Sequence, residues 1–298
     1  MRSLTFYLRN PKILTRILLV KFSRLIPDYV YIKFMYKLYM NRRLNLSNPV
    51  TFTEKLQWLK LYNRNSSYPE IVDKYTVKDY VAKKIGSEYV IPTIGVWNKV
   101  SDIEWSKLPN QFVIKTTHGG SGKGVVLCKD KQHFNTEAAK KQLSKNLRTN
   151  LYWDTREWPY KNLKKRIIAE ELLIDENQGE IKDYKFFCFN GKARFFKIDF
   201  GRFFDHHANY YDLSGNLLPF GEADFPPDPN HTEIIPSSLP KMIELSEALS
   251  SGFKFIRVDF YCINEKVYFG ELTFFPTGGF GKFTDDRWDV ILGEWLKL

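Results

Sequence analysis

Residues 257–274, RVDFYCINEKVYFGELTF, combine strand-like apolar runs with charged side chains that such runs seldom contain. The two apolar runs flank the polar stretch NEK, which predicts a β-hairpin. Hairpin strands normally turn their charges toward water, yet Arg257, Asp259 and Glu271 lie inside the apolar runs. Charges in such positions are typical either of a functional site or of a structural ion pair.

The length of the hairpin turn decides which way the two carboxylates point. With a three-residue turn at 264–266, Ile263 faces Val267. Counting outward from there pairs Asp259 with Glu271 on one face of the hairpin. A two-residue turn would shift the pairing by one and put the carboxylates on opposite faces. We prefer the three-residue turn because it leaves the other face apolar; that face comprises Val258, Phe260, Cys262, Tyr268, Leu272 and Phe274.

The charged face predicted for this hairpin also carries Arg257 paired with Thr273. Two carboxylates directly opposite each other repel. A divalent cation between Asp259 and Glu271 would remove the repulsion, and Mg²⁺ takes carboxylate oxygens as ligands. The alternative is an edge hairpin in which Arg257 pairs with both acids.

The composition indicates a protein with a hydrophobic core that is located in a reducing compartment. The 298 residues are 43% hydrophobic and 16% aromatic. Three cysteines, Cys128, Cys188 and Cys262, lie in apolar runs without CxxC spacing, which predicts free core thiols and a cytoplasmic location. The net charge of +11 favours a polyanionic partner, which could be nucleic acid, an anionic membrane surface, an acidic polymer or a nucleotide.

The N-terminal residues 1–45 predict a pair of amphipathic helices, since Leu, Ile, Phe and Tyr alternate with Lys and Arg. No run reaches the ~20 apolar residues that would span a bilayer. No small-residue cleavage site follows a short apolar core, which argues against a signal peptide. The helices either pack on the rest of the protein or contact an anionic membrane surface peripherally.

The rest of the chain mixes helices with hairpins, without a strict βαβ alternation, which predicts an α+β fold. Helices are predicted over 48–63, 72–86, 132–151 and 238–252. Strands are predicted within 89–97, 111–130, 165–174, 182–200 and 257–274. Asn190–Gly191 is a strong two-residue turn signal, and 202–235 is rich in Pro, Asp and Asn, which predicts mostly loop.

The glycine loop within KTTHGGSGKGV joins two predicted strands. It is not a Walker A motif, because Thr117 and Gly124 occupy the positions that require Gly and Ser or Thr. It is not a Rossmann fingerprint, because a strand follows it. A glycine hairpin can still close over a triphosphate with its backbone N–H groups. Lys115 on the preceding strand then suggests a phosphate contact; the alternative is a flexible hairpin with a solvated lysine.

Taken together, these pieces resemble the ATP-grasp superfamily. The features are FVIK before a glycine loop, IIAEELL, and RVDF followed by ELTFFPTGG. The whole chain is similar to the TupA-like ATP-grasp family, named for teichuronopeptide biosynthesis, from NPVTFTEKLQWLK through DKYTVKDYV, DYKFFCFNGK and FGELTFFPTGG to LGEWLKL. The resemblance implies a helical region at 1–70 and an ATP-grasp domain at 71–298, with a nucleotide between two α+β subdomains at about 111–172 (lid) and 173–298 (metal and catalytic).

The resemblance also implies a set of ATP-binding residues. Lys74, with Lys78 as its rival, and Lys115 would hold phosphates. The glycine loop would cover the triphosphate, the segment after IIA would meet adenine, and Asp183 would meet the ribose hydroxyls. The residues of these two backbone segments are Gly119, Gly120, Ser121 and Gly122 for the loop, and Glu170, Glu171 and Leu173 for adenine.

For catalysis, the resemblance implies that Lys197 reaches the terminal phosphate and that Arg257 stabilises an oxyanion. Asp259 and Glu271 would ligate Mg²⁺. The superfamily usually has Asn two residues after the metal glutamate, where this chain has Thr273, a shorter and weaker ligand.

The implied activity is an ADP-forming carboxylate–amine ligase that makes an amide through an acyl phosphate. By analogy, the carboxylate belongs to a uronic acid of a bacterial capsular or surface polysaccharide, and the amine to an amino acid or similar donor. The alternative is a glycosyltransferase of polysaccharide biosynthesis, although the chain lacks an Asp-x-Asp triplet. A nucleic-acid-binding or membrane-binding module would leave the two acids and the glycine loop unexplained, and no nucleic-acid partner is expected.

Overall fold

Two antiparallel β-sheets organise the computed structural model, which describes residues 10–120, 122, 124–175, 181–201 and 205–298. Helices flank the sheets without alternating strictly with the strands, so the predicted α+β class is confirmed. The cysteines Cys128, Cys188 and Cys262 are all buried and free, as predicted. Within the described residues, no helix is both long and apolar enough to cross a bilayer.

The first sheet has the strand order β1-β4-β2-β3. Its strands are β1 (Thr93–Trp97), β2 (Phe112–Thr116), β3 (Val125–Cys128) and β4 (Ile167–Glu170). Helix α6 (Thr136–Leu147) buries Ala139 and Leu143, and Leu143 belongs to the small apolar core under this sheet. The glycine loop, between β2 and β3, therefore belongs to a sheet that has its own small hydrophobic core.

The second sheet has the order β7-β6-β5-β8-β9. Its strands are β5 (Asp183–Phe189), β6 (Lys192–Phe200), β7 (His207–Tyr211), β8 (Phe255–Ile263) and β9 (Lys266–Thr273). Asn190 and Gly191 form the predicted β5–β6 turn, with φ of 50° and 78°. The described residues of 202–235 are mostly loop, as predicted, but they include the short strand β7, whose HANYY run pairs with β6 at the edge of the sheet.

The apolar face of the second sheet packs on helix α8 (Leu239–Ser250), whose Met242, Leu245 and Leu249 are buried in the main core. The α8 N-terminus carries a proline in its first turn, where the missing N–H costs nothing. Because one face of the sheet is covered by a helix, charged side chains on its strands must collect on the opposite face.

The helices that complete the fold lie mostly before β1. They are α1 (Pro11–Lys21), α2 (Asp28–Met40), α3 (Phe52–Tyr62), α4 (Tyr68–Val72), α5 (Val77–Ile85), α7 (Tyr152–Thr155) and α9 (Arg287–Trp295). Thr51 and Glu54 form a capping box at the start of α3. Helix α9 packs closely on this start, since a β-carbon on Gly293 would lie 2.2 Å from the Val50 carbonyl oxygen. The chain's end is thereby fixed to its helical N-terminal part.

The turn of the β8–β9 hairpin differs from the prediction. It has two residues, Asn264 and Glu265, with φ of 49° and 64°. Ile263 therefore pairs with Lys266, and the predicted pairing of Ile263 with Val267 is wrong. Both turn residues adopt the left-handed conformation that a two-residue hairpin turn of type I′ requires, although neither is glycine.

A β-bulge at Gly270 restores the predicted pairing of the two acids. The register shifts by one residue between Asp259 and the next residue of β8, so that Asp259 pairs with Glu271 despite the shorter turn. The same shift puts Phe269 on the apolar face, in the place expected for Tyr268. Bulges of this kind re-aim side chains next to functional sites.

Candidate functional site

A row of polar side chains crosses the second sheet from edge to edge. Tyr210, Lys197, Lys185, Asp259 and Glu271 are successive register partners on β7, β6, β5, β8 and β9. Register partners point to the same side of a sheet. All five therefore lie on the face opposite α8, and the prediction that Asp259 and Glu271 share one face is confirmed.

Three strands carry a second charge two residues from the first, on the same face. These pairs are Asp183/Lys185 on β5, Lys197/Asp199 on β6 and Arg257/Asp259 on β8. Sequence reasoning singled out only the β8 pair as a whole and missed Lys185 and Asp199. The signal was present in the DYK and KID spacings, which match RVD.

Arg257 binds Asp259 through two parallel hydrogen bonds. Nε and Nη2 of Arg257 donate to the two carboxylate oxygens, each at 2.7 Å, and Nη2 also donates to Thr273 Oγ1 at 3.3 Å. Burial raises the pKa of Asp259 to about 6, against the lowering effects of Arg257 and Lys185. Arg257 therefore pairs with Asp259, which is one of the two ion pairs that the alternative interpretation predicted.

Glu271 pairs instead with Lys74, whose Nζ lies 3.3 Å from Oε1. Burial acts to raise the pKa of Glu271, but Lys74 and Arg257 outweigh it and lower the pKa. Lys74 Nζ also donates to the Gly119 carbonyl oxygen at 2.6 Å. Lys74 thus connects the glycine loop of the first sheet to the acid row of the second.

The two facing acids provide some, but not all, of the ligands that a hard divalent cation needs. Asp259 and Glu271 supply carboxylate oxygens from a single ladder pair, and these are the ligands that Mg²⁺ prefers. Thr273 Oγ1 accepts from Arg257, on the same face. In the part of the chain that the structure describes, no group of three or more His, Cys, Asp or Glu side chains could hold a metal ion. A metal here would take its remaining ligands from a bound phosphate and water.

Two lysines from different elements converge on Glu170 at the end of β4. Lys78 of α5 lies 2.5 Å from Oε1 of Glu170, and Lys115 of β2 forms a short ion pair with Oε2. Burial acts to raise the pKa of Glu170, but the two lysines outweigh it and hold the pKa below its usual value. Burial also lowers the pKa of Lys78. The solvated-lysine alternative for Lys115 does not describe this arrangement.

These lysines line a narrow cleft between the two sheets. Its walls are Lys74, Lys78, Val90, Ile91, Lys115, Glu170, Phe269 and Gly270. The cleft has a volume of about 10 Å³, which is the space of roughly one water molecule. A nucleotide would fit only after the side chains that line it move apart.

The glycine loop is connected to this cleft through Lys74, whose Nζ donates to the Gly119 carbonyl oxygen. A β-carbon on Gly119 would lie 2.8 Å from Thr116 Oγ1, so a larger residue there would require the Thr116 side chain or the loop to shift. Gly122 has a φ of 68°, and Gly120 lies next to Gly119. Ser121 lies outside the described residues.

Of the residues predicted for adenine and ribose, Glu170 lines the cleft, whereas Glu171, Leu173 and Asp183 are not among its lining residues. Glu171 N donates to the Pro92 carbonyl oxygen at 3.2 Å while its side chain is exposed, and Leu173 is half-buried. Asp183 forms a short ion pair with Lys185, which also lies 2.6 Å from Asp199.

At the far end of the row, Lys197 is enclosed by acids. Its Nζ lies 3.1 Å from Glu222 and 3.7 Å from Asp199. Burial acts to lower the pKa of Lys197, but Glu222 and Asp199 outweigh it and raise the pKa. His206 Nε2 contacts Asp199 at 3.0 Å. Glu222 and His206 come from segments without strand periodicity, and no sequence signal placed them here.

Two antiparallel sheets enclose a cleft lined by lysines and Glu170, and Lys74 links this cleft to the glycine loop and to Glu271. This arrangement has the architecture of an ATP-grasp fold. A family model described as TupA-like ATPgrasp matches residues 54–297. The chain therefore belongs to the TupA-like ATP-grasp family, and the resemblance found in its sequence is confirmed.

Solved structures with similarity to this chain include several ligases. D-alanine–D-alanine ligase from Bacillus anthracis aligns at 19% identity and a TM-score of 0.39, over 68% of this chain and 56% of that one. The Helicobacter pylori enzyme of the same name aligns at 19% and 0.43, over 83% and 69%. L-amino acid ligase from Bacillus licheniformis aligns at 13% and 0.44, over 77% and 49%. The chain thus spans about half to two thirds of their lengths. No curated protein matches the chain.

Proposed function

We propose that this protein is an ATP-dependent, ADP-forming ligase that joins a carboxylate to an amine through an acyl phosphate. The observation that carries the proposal is the direct pairing of Asp259 with Glu271 on a sheet face that also presents Arg257, Lys185 and Lys197. Facing acids among cations suit a metal-bound triphosphate whose terminal phosphate is transferred.

In this proposal ATP enters the cleft between the sheets and replaces the existing ion pairs. Lys74 and Lys115 turn from their carboxylate partners to the phosphate oxygens, and the glycine loop closes over them with backbone N–H groups. Lys78, which contacts Glu170 and the Ile91 carbonyl oxygen at 2.6 Å, holds the inner wall. Glu170, Glu171 and Leu173 border the adenine, and Asp183 the ribose.

The chemistry would proceed in two steps. A carboxylate oxygen of the acceptor attacks the terminal phosphorus of ATP, and the bond to the bridging oxygen breaks to release ADP, with Lys197 neutralising charge on the transferred group. The amine then attacks the acyl carbon, loses a proton to solvent, and displaces phosphate. Arg257 faces the oxyanion of that tetrahedral intermediate with Nη1, which makes no hydrogen bond within the described residues.

Asp259 and Glu271 would hold the metal, with Thr273 beside them as a weak additional donor. Bound Mg²⁺ supplies electrostatic neutralisation of the phosphate oxygens. Because Arg257 already satisfies both oxygens of Asp259, the protein holds this carboxylate in place before any metal binds.

We further propose that the acceptor is an acidic saccharide, a uronic acid of a bacterial capsular or surface polysaccharide or its precursor, and that the donor is an amino acid or similar amine. The net charge of +11 supports an anionic acceptor. We propose a cytoplasmic location at the inner face of the membrane, where ATP is available and the three thiols stay reduced.

We keep a division into a helical region at 1–70 and an ATP-grasp domain at 71–298 as part of this proposal. The lid would be the first sheet, about 111–172 together with β1, because β1 pairs with β4. The metal and catalytic part would be about 173–298. Lys74 then contacts both parts, since its Nζ donates to Gly119 and contacts Glu271.

Trapping the intermediate tests the reaction. An acyl phosphate is attacked by hydroxylamine, so ATP, Mg²⁺, hydroxylamine and a panel of uronic acids, from monosaccharide to polymer, should yield a hydroxamate with the correct acceptor. Phosphate release should depend on that acceptor, with ADP as the nucleotide product. AMP and pyrophosphate as products would overturn the roles given to Lys115 and Lys197. Glu271→Gln is the matched control and should give no hydroxamate.

A further inference from the structure

Exposed apolar side chains are concentrated at the N-terminal end of the described chain. Helix α1 contains no buried residue at all. Leu25, in the short turn between α1 and α2, is 80% exposed, and Phe34 of α2 is 55% exposed. We call the following eight exposed residues the N-terminal apolar surface: Ile13, Ile17, Leu18, Phe22, Leu25, Tyr29, Val30 and Phe34. Isolated exposed apolar residues are ordinary, but a concentration of this size marks an interaction surface.

On helix α2 the exposed apolar residues lie on a different side from the residues that pack into the protein. It buries Tyr31, Ile32, Met35 and Tyr36 against the protein. Its opposite side presents an arc of about 140° at 100° per residue, which contains Tyr29, Val30, Lys33, Phe34 and Lys37. Three large apolar side chains therefore share the water-facing side with two lysines, on a helix whose packing is already satisfied elsewhere.

The charges around this surface are almost all positive. Between residues 10 and 43 the chain has eight basic residues and one acidic residue, Asp28. Asp28 is itself occupied by Arg64 at 2.6 Å. In the described chain, only Arg16 and Arg42 of the eight cations reach a carboxylate, on Asp154 and Asp289. The others have no carboxylate partner within those residues; they are Lys12, Lys21, Arg24, Lys33, Lys37 and Arg43.

We propose that the N-terminal apolar surface binds an anionic lipid bilayer, lying in the plane of the interface. Leu25 and its apolar neighbours would enter the boundary between headgroups and acyl chains, and Lys33 and Lys37 would meet lipid phosphates. An in-plane arrangement follows because no described helix could span a bilayer and because apolar and basic residues share the exposed side, as in interfacial helices. A protein partner is disfavoured because protein interfaces are depleted in lysine.

This inference does not depend on the ligase chemistry, so each can fail alone. The full chain is floated with vesicles of phosphatidylcholine, or of phosphatidylcholine mixed with phosphatidylglycerol, at low and high salt. Binding should be strong only to the anionic vesicles and should weaken with salt, since each lysine near the headgroups contributes electrostatically. Hydroxamate formation from a soluble acceptor should proceed without vesicles.

Two pairs of variants separate the apolar and the basic contributions. Leu25→Ser should weaken vesicle binding by roughly tenfold or more, whereas Ile234→Ser, which changes an apolar side chain 90% exposed in a loop, should not. The double variant Lys33→Gln/Lys37→Gln should weaken binding by about thirtyfold. The charge-matched control Lys83→Gln/Lys84→Gln alters two exposed lysines on α5 and should leave binding unchanged. All six substituted side chains are exposed, so the four variants should fold, which circular dichroism checks.

Three results would overturn the proposal. One is the absence of binding to anionic vesicles; another is equal binding to neutral and anionic vesicles. The third is a dimer in sedimentation velocity that Leu25→Ser dissolves while vesicle binding is unaffected, which would make the surface a contact between two copies of the chain.

Discussion

The Asp259 carbonyl oxygen lies 3.1 Å from the place where a β-carbon on Gly270 would be. Gly270 is the bulged residue of β9, and it precedes Glu271 directly. The bulge compensates for the two-residue turn and so brings the carboxylates of Asp259 and Glu271 to the same face. A small residue is therefore needed at this point, because the backbone of the partner strand approaches too closely for a branched side chain.

Gly270→Val should disrupt the acid pair more than it disrupts the fold. Overpacking of this kind costs about 1–3 kcal/mol of unfolding free energy, but any shift of the bulge would rotate Glu271 away from Asp259. Ligase activity should fall at least about tenfold, while urea unfolding shows a single transition at lower midpoint. Asn264→Gly in the turn of the same hairpin serves as the control, since its φ of 49° suits glycine. Full activity of Gly270→Val would contradict the role given to the bulge.

Glu271→Gln gives the cleanest test of the metal acids. The Glu271 side chain is 29% exposed and pairs only at 3.3 Å with Lys74, so the amide should be tolerated structurally. Turnover should drop by roughly 10³-fold, as when other transition-state-stabilising groups are removed. Glu265→Gln, in the exposed turn of the same hairpin, should remain active. Near-wild-type turnover of Glu271→Gln would contradict the proposal that Asp259 and Glu271 hold the metal.

Asp259→Asn should lose stability as well as activity. Removing one partner of a buried ion pair leaves the other charge uncompensated, at a cost of about 3–5 kcal/mol. Arg257, which donates both of its 2.7 Å bonds to Asp259, would be that partner. Chemical denaturation of both variants should show a large loss of unfolding free energy for Asp259→Asn and little loss for Glu271→Gln. Equal stabilities would mean that the Arg257–Asp259 pair contributes little to the fold.

The alternation of charged and apolar residues in RVDF and GELT was enough to predict that Asp259 and Glu271 face each other. The turn was predicted wrongly because Glu265 adopts the left-handed conformation, which non-glycine residues rarely take. Gly270 was the overlooked signal, since an isolated glycine in a strand often marks a bulge. Two deviations from the predicted hairpin therefore cancelled at the site.

The pairing of Lys78 and Lys115 with Glu170 could not be predicted from the sequence, for a different reason. Lys78 comes from a helix and Lys115 from another strand, and only tertiary packing brings both to one carboxylate. By contrast, Asp199 could have been predicted, because KID on β6 repeats the same-face spacing of RVD on β8. Periodicity predicts which face a side chain occupies, but not which distant segment meets it.

ATP should stabilise the protein through the cleft that Lys115 lines. A ligand at about 100 times its dissociation constant adds about 2.7 kcal/mol, which corresponds to a rise in Tm of roughly 5 °C. Lys115→Ala should reduce the shift, whereas Lys129→Ala, an exposed lysine just beyond β3, should keep it. UDP-sugars should have little effect in the same thermal scan. Stabilisation by UDP-sugars but not by ATP would favour the glycosyltransferase alternative.

Stability should depend on pH through Glu157, which is buried beside Lys60. Burial raises the pKa of Glu157 from 4.5 to about 7 and lowers the pKa of Lys60 to about 7. The Lys60 ammonium donates to the Thr155 and Gly278 carbonyl oxygens at 2.8 and 2.5 Å, while Glu157 accepts from Thr155 Oγ1 at 2.7 Å. Lys60 thereby joins α3 to the end of α7 and to the loop after β9, and Glu157 lies beside it at Thr155.

The sign of the pH effect follows from the raised pKa of Glu157. Between pH 4.5 and about 7 the unfolded carboxyl ionises first while the folded one keeps its proton. The folded state then binds more protons, so the contribution of Glu157 to stability is full below pH 4.5 and declines as pH rises toward 7. The decline should amount to roughly 2–3 kcal/mol. Urea midpoints of the wild type should fall over this window relative to those of Glu157→Gln, which cannot titrate. Parallel pH profiles for the two proteins would show that Glu157 ionises normally in the fold.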